Sequence, residues 1–188
     1  MTDEPLPFAT PADWRAWLNA NHAARTEVTL KLYKKASGVA SITWEEAVVE
    51  ALAFGWIDGV KRPGGPDHWL QRFTPRKPRS SWSQKNRAHA EKLIAEGRMT
   101  PAGQAQVDAA KADGRWDNAY AGGKTAEVPA DFLAALEGNP AAKATYATLN
   151  AQNRFALYYR LTTAKRPETR AKRMADYLAM LEKGERFH

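Results

Sequence analysis

Residues 43–85, TWEEAVVEALAFGWIDGVKRPGGPDHWLQRFTPRKPRSSWSQK, decide the fold. Thr43 with Glu46 three residues on is a capping box, in which each side chain satisfies an otherwise orphaned backbone N–H. Trp44, Ala47, Val48, Ala51 and Leu52 recur at helical spacing and form one apolar stripe. Gly55 follows where a helix needs a left-handed residue to end. The period then changes. Trp56–Lys61 and His68–Phe73 alternate as strands, and Arg62–Asp67 between them is turn chemistry for a hairpin with a longer loop. Period 2 puts Trp56, Asp58 and Val60 on one face, Trp69, Gln71 and Phe73 on one face of the next strand, and Leu70 and Arg72 on its other. Asp58 therefore falls between apolar neighbours and needs a partner, for which Arg72 and Arg76 are the candidates. Pro75 and Pro78 force an extended basic loop, after which Ser81, with Gln84 at the capping-box position, is expected to start a helix.

Outward from this stretch, Thr10-Pro11 opens a helix carrying Trp14, Trp17 and Leu18. Residues 28–34 alternate as a half-buried strand. After Phe73 the pattern turns helical to the end, with Gly97, Gly114, Gly138 and Gly184 as stops and Thr100, Asn139 and Asn150 as starts. A Gly-containing connection runs over 116–128. The expected class is α+β. A small, mostly antiparallel sheet with helices occupies residues 1–80, and an all-helical part, residues 81–188, packs against it or shares one compact domain with it. Trp14, Trp17, Leu30, Leu32, Trp44, Val48, Leu52, Phe155 and Leu178 are expected in the core.

The chain of 188 residues has a net charge of +7 and no cysteine. Disulfides, thiol catalysis and Cys-ligated metal are excluded, and a reducing, cytoplasmic setting is expected. The first ten residues lack the basic and apolar regions of a signal peptide, and no run reaches transmembrane length, so no membrane insertion is expected. Charge is uneven: residues 61–98 hold ten Lys/Arg against three Asp/Glu, and residues 151–188 nine against four. Concentrated positive charge points to an anionic partner, with nucleic acid among the options. His22, His68, His89 and His188 stand in no ligand spacing, so neither metal nor cofactor is expected. No P-loop, GxGxxG or GxSxG is present.

Several of these segments resemble the YdeI/OmpD-associated, bacteriocin-protection family. They are Trp44–Ala47, Phe54–Gly59, Leu70–Arg76, Ser81–Ser83, Glu96–Gly103, Asp113–Trp116 and Thr163–Arg170. The resemblance covers nearly the whole chain. It implies a role in stress or bacteriocin tolerance, and it implies no reaction and no catalytic residues.

The residues themselves suggest a site for an anionic ligand, either nucleic acid or a phosphorylated or acidic small molecule. Arg72, Arg76, Arg79, Trp82 and Lys85, with Asp58 nearby, surround a basic loop that runs into a helix N-terminus, where backbone N–H groups favour anions. Guanidinium forks grip phosphates and carboxylates, and indoles stack on bases. Lys165 and Arg166 begin a second basic cluster at another helix start. Two alternatives stay open: an enzyme with a pocket around Asp58, Arg72 and Tyr159, and an adaptor with a protein partner.

Overall fold

The computed structural model describes residues 4–122 and 126–187. His188 and residues 123–125 of the 116–128 connection lie outside them. The chain divides into two compact units, Met1–Asn118 and Ala119–His188.

The first unit holds a four-stranded sheet in the order β1-β2-β4-β3. The strands are β1 (Leu6–Pro7), β2 (Val28–Tyr33), β3 (Trp56–Pro63) and β4 (His68–Pro75). β2, β4 and β3 pair antiparallel, as alternation predicts. The two-residue β1, too short to leave a periodic signal, adds in parallel to β2. Among the described residues four α-helices and a short 3-10 turn (Lys35–Ser37) complete the unit: α1 (Pro11–Asn21), α2 (Trp44–Ala53), α3 (Gln84–Ala95) and α4 (Pro101–Ala112). The capping boxes of Thr10 and Thr43 are both made. Gly55 has φ +75°, as the end of α2 requires. Its missing side chain also matters, because a Cβ there would lie 2.9 Å from the Ala102 carbonyl oxygen of α4.

Between β2, β4 and the helices lies an aromatic core. Trp14 stacks on Trp17 with centroids 5.2 Å apart and tilts against Phe73, while Trp17 meets the edge of Trp56. Two of the buried indoles keep their hydrogen bonds: Trp14 Nε1 donates to the Ala47 carbonyl at 3.0 Å and Trp56 Nε1 to that of His22 at 3.3 Å. This satisfies donors that would otherwise be costly to bury. Leu30, Leu32, Val48 and Leu52 are buried with them. Trp17 is half-buried. Trp44 departs from expectation at 38% exposed: it is the first residue of α2, and its indole reaches over β3 instead of into the core.

The second expectation to fall is the facing of β3. Its register with β4 shifts between Asp58 and Lys61, so that Gly59 and Val60 together oppose Arg72. This is a β-bulge, which inserts one residue and breaks the period. The buried Gln71 donates its amide Nε2 to the Gly59 carbonyl at 2.9 Å, satisfying an acceptor at the irregularity. Asp58 pairs with Phe73 on the helix-covered face. Val60, expected beside it, lines the opposite face and is 54% exposed. The cap of α3 also moves. Ser83, not Ser81, accepts from the Asn86 N–H, because Trp82 is drawn into the core and holds the chain extended up to Ser83.

The second unit consists of α5 (Ala130–Glu137), α6 (Pro140–Ala147), α7 (Ala151–Thr162) and α8 (Pro167–Glu182). Phe132, Leu136, Leu157, Leu161 and Leu181 form its core, with Phe155 and Leu178 partly buried against it. Asn153, buried in α7, accepts from the Phe187 N–H at 3.0 Å and fixes the chain that follows α8.

Candidate functional site

The loop between β4 and α3 is built from below. Arg76 leaves the ladder after Pro75, its N–H donating to the Gly55 carbonyl at 2.9 Å. Its side chain turns inward and is 5% exposed. The guanidinium lies 3.9 Å over the Trp82 ring and donates to the Ser81 carbonyl at 2.7 Å and the Ser80 carbonyl at 3.4 Å. Trp82 in turn meets Trp116, with centroids 4.9 Å apart. Arg115, also buried, donates to the Ser80 carbonyl at 2.9 Å and pairs with Asp113. Within the loop, Ser80 closes a turn on Lys77: the Lys77 N–H donates to Ser80 Oγ and the Ser80 N–H to the Lys77 carbonyl. Two buried guanidiniums thus hold the loop backbone, while Lys77 and Arg79 face solvent. The side chains of Lys77 and Arg79 make no hydrogen bond or ion pair among the described residues.

Asp58 lies on the same side of the sheet. Trp44 Nε1 donates to its Oδ2 at 3.2 Å. Burial holds the Asp58 carboxyl above the usual aspartate range, against the opposing pull of the Trp44 hydrogen bond and the Arg76 charge. Lys85, in the first turn of α3, sits 5.4 Å over the Trp44 ring and pairs with Glu45 at 2.9 Å. Behind it, half-buried His89 has its Nε2 3.5 Å from Glu45, and burial depresses its pKa.

Not every candidate joins this group. Arg72 points to the opposite face of the sheet, where its Nε donates to Glu27 at 2.9 Å and a second contact runs from Nη2. Alternation requires this, since Phe73 beside it faces the helices. Asp58 and Arg72 therefore lie on opposite faces of the sheet, and Tyr159, the third residue of the alternative enzyme pocket, belongs to α7 in the second unit. Asp58's cationic neighbour is Arg76, the other of its two expected partners. Lys165 and Arg166 are exposed just ahead of α8. Two residues that sequence reasoning missed are Arg115 and Gln71. Arg115 stands 35 positions from the Ser80 carbonyl it holds, and no local pattern signals such a contact.

Among the described residues no three His, Asp or Glu side chains gather as metal ligands, and no helix is long and apolar enough to cross a membrane.

Comparison with known families divides the chain as the fold does. Residues 6–106, more than half of the chain, match the model of a domain of unknown function, DUF8412. Residues 125–184 match the model described as bacteriocin-protection, YdeI or OmpD-associated. The chain belongs to the DUF8412 family, and residues 125–184 of its second unit are similar to the YdeI/OmpD-associated, bacteriocin-protection family. No curated protein and no solved structure matches it.

Proposed function

We propose that the protein is a binding module for an anionic ligand, nucleic acid or a phosphorylated or acidic small molecule, acting in bacteriocin or stress tolerance. The observation that carries this reading is the loop over residues 76–83. Its backbone is pinned from beneath by Arg76 and Arg115, and its outward cations, Lys77 and Arg79, are not neutralised by a carboxylate among the described residues. A loop already ordered before binding loses little entropy on contact, and its free cations need not first leave a partner. Lys85 and the partly exposed indole of Trp44 extend the surface with a cation and a stacking face. Arg76 acts here as support and Arg72 has no part. Lys165 and Arg166 supply a second cationic segment within the second unit.

The test is binding of single- and double-stranded oligonucleotides, and of a panel of phosphate ligands, at two salt concentrations. A nucleic-acid ligand gives a slope of log K against log salt of about −0.9 for each duplex phosphate neutralised. Arg79→Ala and Lys77→Ala, both exposed, should each reduce that slope by about one such unit. A small anion gives a shallower slope and a sharp loss on one of these changes. Folded wild-type protein that binds none of these ligands in a salt-sensitive way would leave the charge as a solubility feature.

A further inference from the structure

The face of the sheet turned away from α1 and α2 carries a groove of about 500 Å³, within the range of about 300–1,000 Å³ common for small-ligand sites. It runs from the segment just before β1 across β2, β4 and β3. Glu4, just before β1, and Glu27, just before β2, line one end, and Arg72 on β4 and Arg62 on β3 line the other. Val60 and Leu70 give it an apolar floor. The bulge in β3 creates this arrangement by turning Val60 to this side. Charge is ordered along the groove, with acids on the segments just before β1 and β2 and arginines on β4 and β3. The middle is neutralised internally, because Arg72 and Glu27 pair with each other. The two ends differ: Glu4 has a distant cationic neighbour in Lys31, and the Arg62 guanidinium has no hydrogen bond or ion pair among the described residues.

We propose that this groove binds a short peptide with free termini and apolar side chains, its carboxylate on Arg62 and its ammonium on Glu4. Strands lie about 4.8 Å apart, so β1 and β3 are separated by about 14 Å. An extended chain covers that distance in about four residues at roughly 3.3–3.6 Å each. The guanidinium fork of Arg62 suits a carboxylate, and the apolar floor suits side chains projecting from one side of an extended backbone. This site lies across the sheet from the proposed anion surface and does not depend on it.

The experiment is a titration of isotopically labelled full-length protein, followed by amide chemical shifts, with an apolar tetrapeptide in free, N-acetylated, C-amidated and doubly capped forms. The free peptide should shift the amides of Thr29, Val60, Arg62 and Leu70, and each cap should weaken binding about tenfold. Arg62→Ala should abolish the effect of amidation alone and Glu4→Gln that of acetylation alone. Both positions are exposed, so the variants should fold. The proposal is overturned if millimolar free peptide leaves these amides unmoved, or if capping makes no difference. It is equally overturned if they respond only to a longer amphipathic helical peptide, which would make the face a docking surface for a protein.

Discussion

The indole N–H of Trp44 donates to Oδ2 of Asp58 at 3.2 Å, joining the first turn of α2 to the start of β3. It is the direct partner of a carboxylate whose ionisation the fold resists. Burial raises the Asp58 pKa in the folded chain above its unfolded value. Between those two values the folded state therefore holds more protons than the unfolded one, and stability falls as pH rises through that window. Asp58→Asn keeps an acceptor for Trp44 and removes the titration. Its melting temperature relative to wild type should rise as pH increases above the ordinary aspartate value and level off once Asp58 is ionised in the folded chain. A difference that is flat with pH would show that Asp58 does not titrate abnormally.

Arg76 and Arg72, four residues apart, should respond very differently to truncation. Arg76→Ala removes a charge-assisted hydrogen bond to Ser81 and a buried stack on Trp82, at a cost of about 2–4 kcal/mol. Arg72→Ala breaks an exposed ion pair and should cost at most about 1 kcal/mol. Urea denaturation of the two variants measures both, and equal losses would contradict the assigned burial.

Glu50 is buried in α2 and held by two guanidiniums, Arg15 at 2.7 Å and Arg98. These contacts tie α2 to α1 and to the segment before α4. Glu50→Ala leaves two cations facing each other with no anion between them, and a loss of about 3 kcal/mol is expected. Arg98→Ala should lose less, because Arg15 still neutralises the acid and the Arg98 side chain is partly solvated. Denaturant midpoints of the two variants test the order.

Gly103 sets how closely α4 approaches α2. A Cβ there would strike the Ala53 carbonyl oxygen, which already accepts from Thr100 Oγ1 at 2.7 Å and from the Thr100 N–H at 3.1 Å. Gly103→Ala should therefore cost about 1–3 kcal/mol or more through forced backbone movement. Gly97→Ala, with open space around it but φ +66°, should cost about 1 kcal/mol from backbone strain alone. Thermal melts that rank Gly97→Ala as the worse would refute the close approach.

What was legible in the sequence was local. Thr43 and Glu46 lie three residues apart, and their capping box requires no knowledge of the rest of the chain. The hairpin of β3 and β4 follows from alternation on each side of a Pro/Gly turn, and the helix stops at Gly55, Gly97, Gly114 and Gly184 follow from glycines that adopt positive φ, whereas Gly138 ends α5 at φ −80°. What was illegible depended on distant partners or on an irregularity. An alternating string cannot show that Gly59 and Val60 oppose a single residue, so the facing of Val60 was misread. Arg76 reads as another surface cation until the chain bends after Pro75 and carries it to Trp82. Trp44 lies on the apolar stripe of α2, but its place at the helix start puts it beyond the surface that the stripe covers. The group around Asp58 was thus readable in part, and its separation from Arg72 only through the alternation of β4.

The extra residue in β3 also insulates one charge from another. On a regular strand an acid and an arginine four positions apart share a face, and each lies in the other's field. Here Asp58 faces the helices and Arg62 the groove, with the sheet between them. The two surfaces can accordingly vary separately: a new charge at position 62 leaves the acid's titration alone, and a change around Trp44 leaves the groove unaltered. Length, not composition, has made one strand serve two independent surfaces.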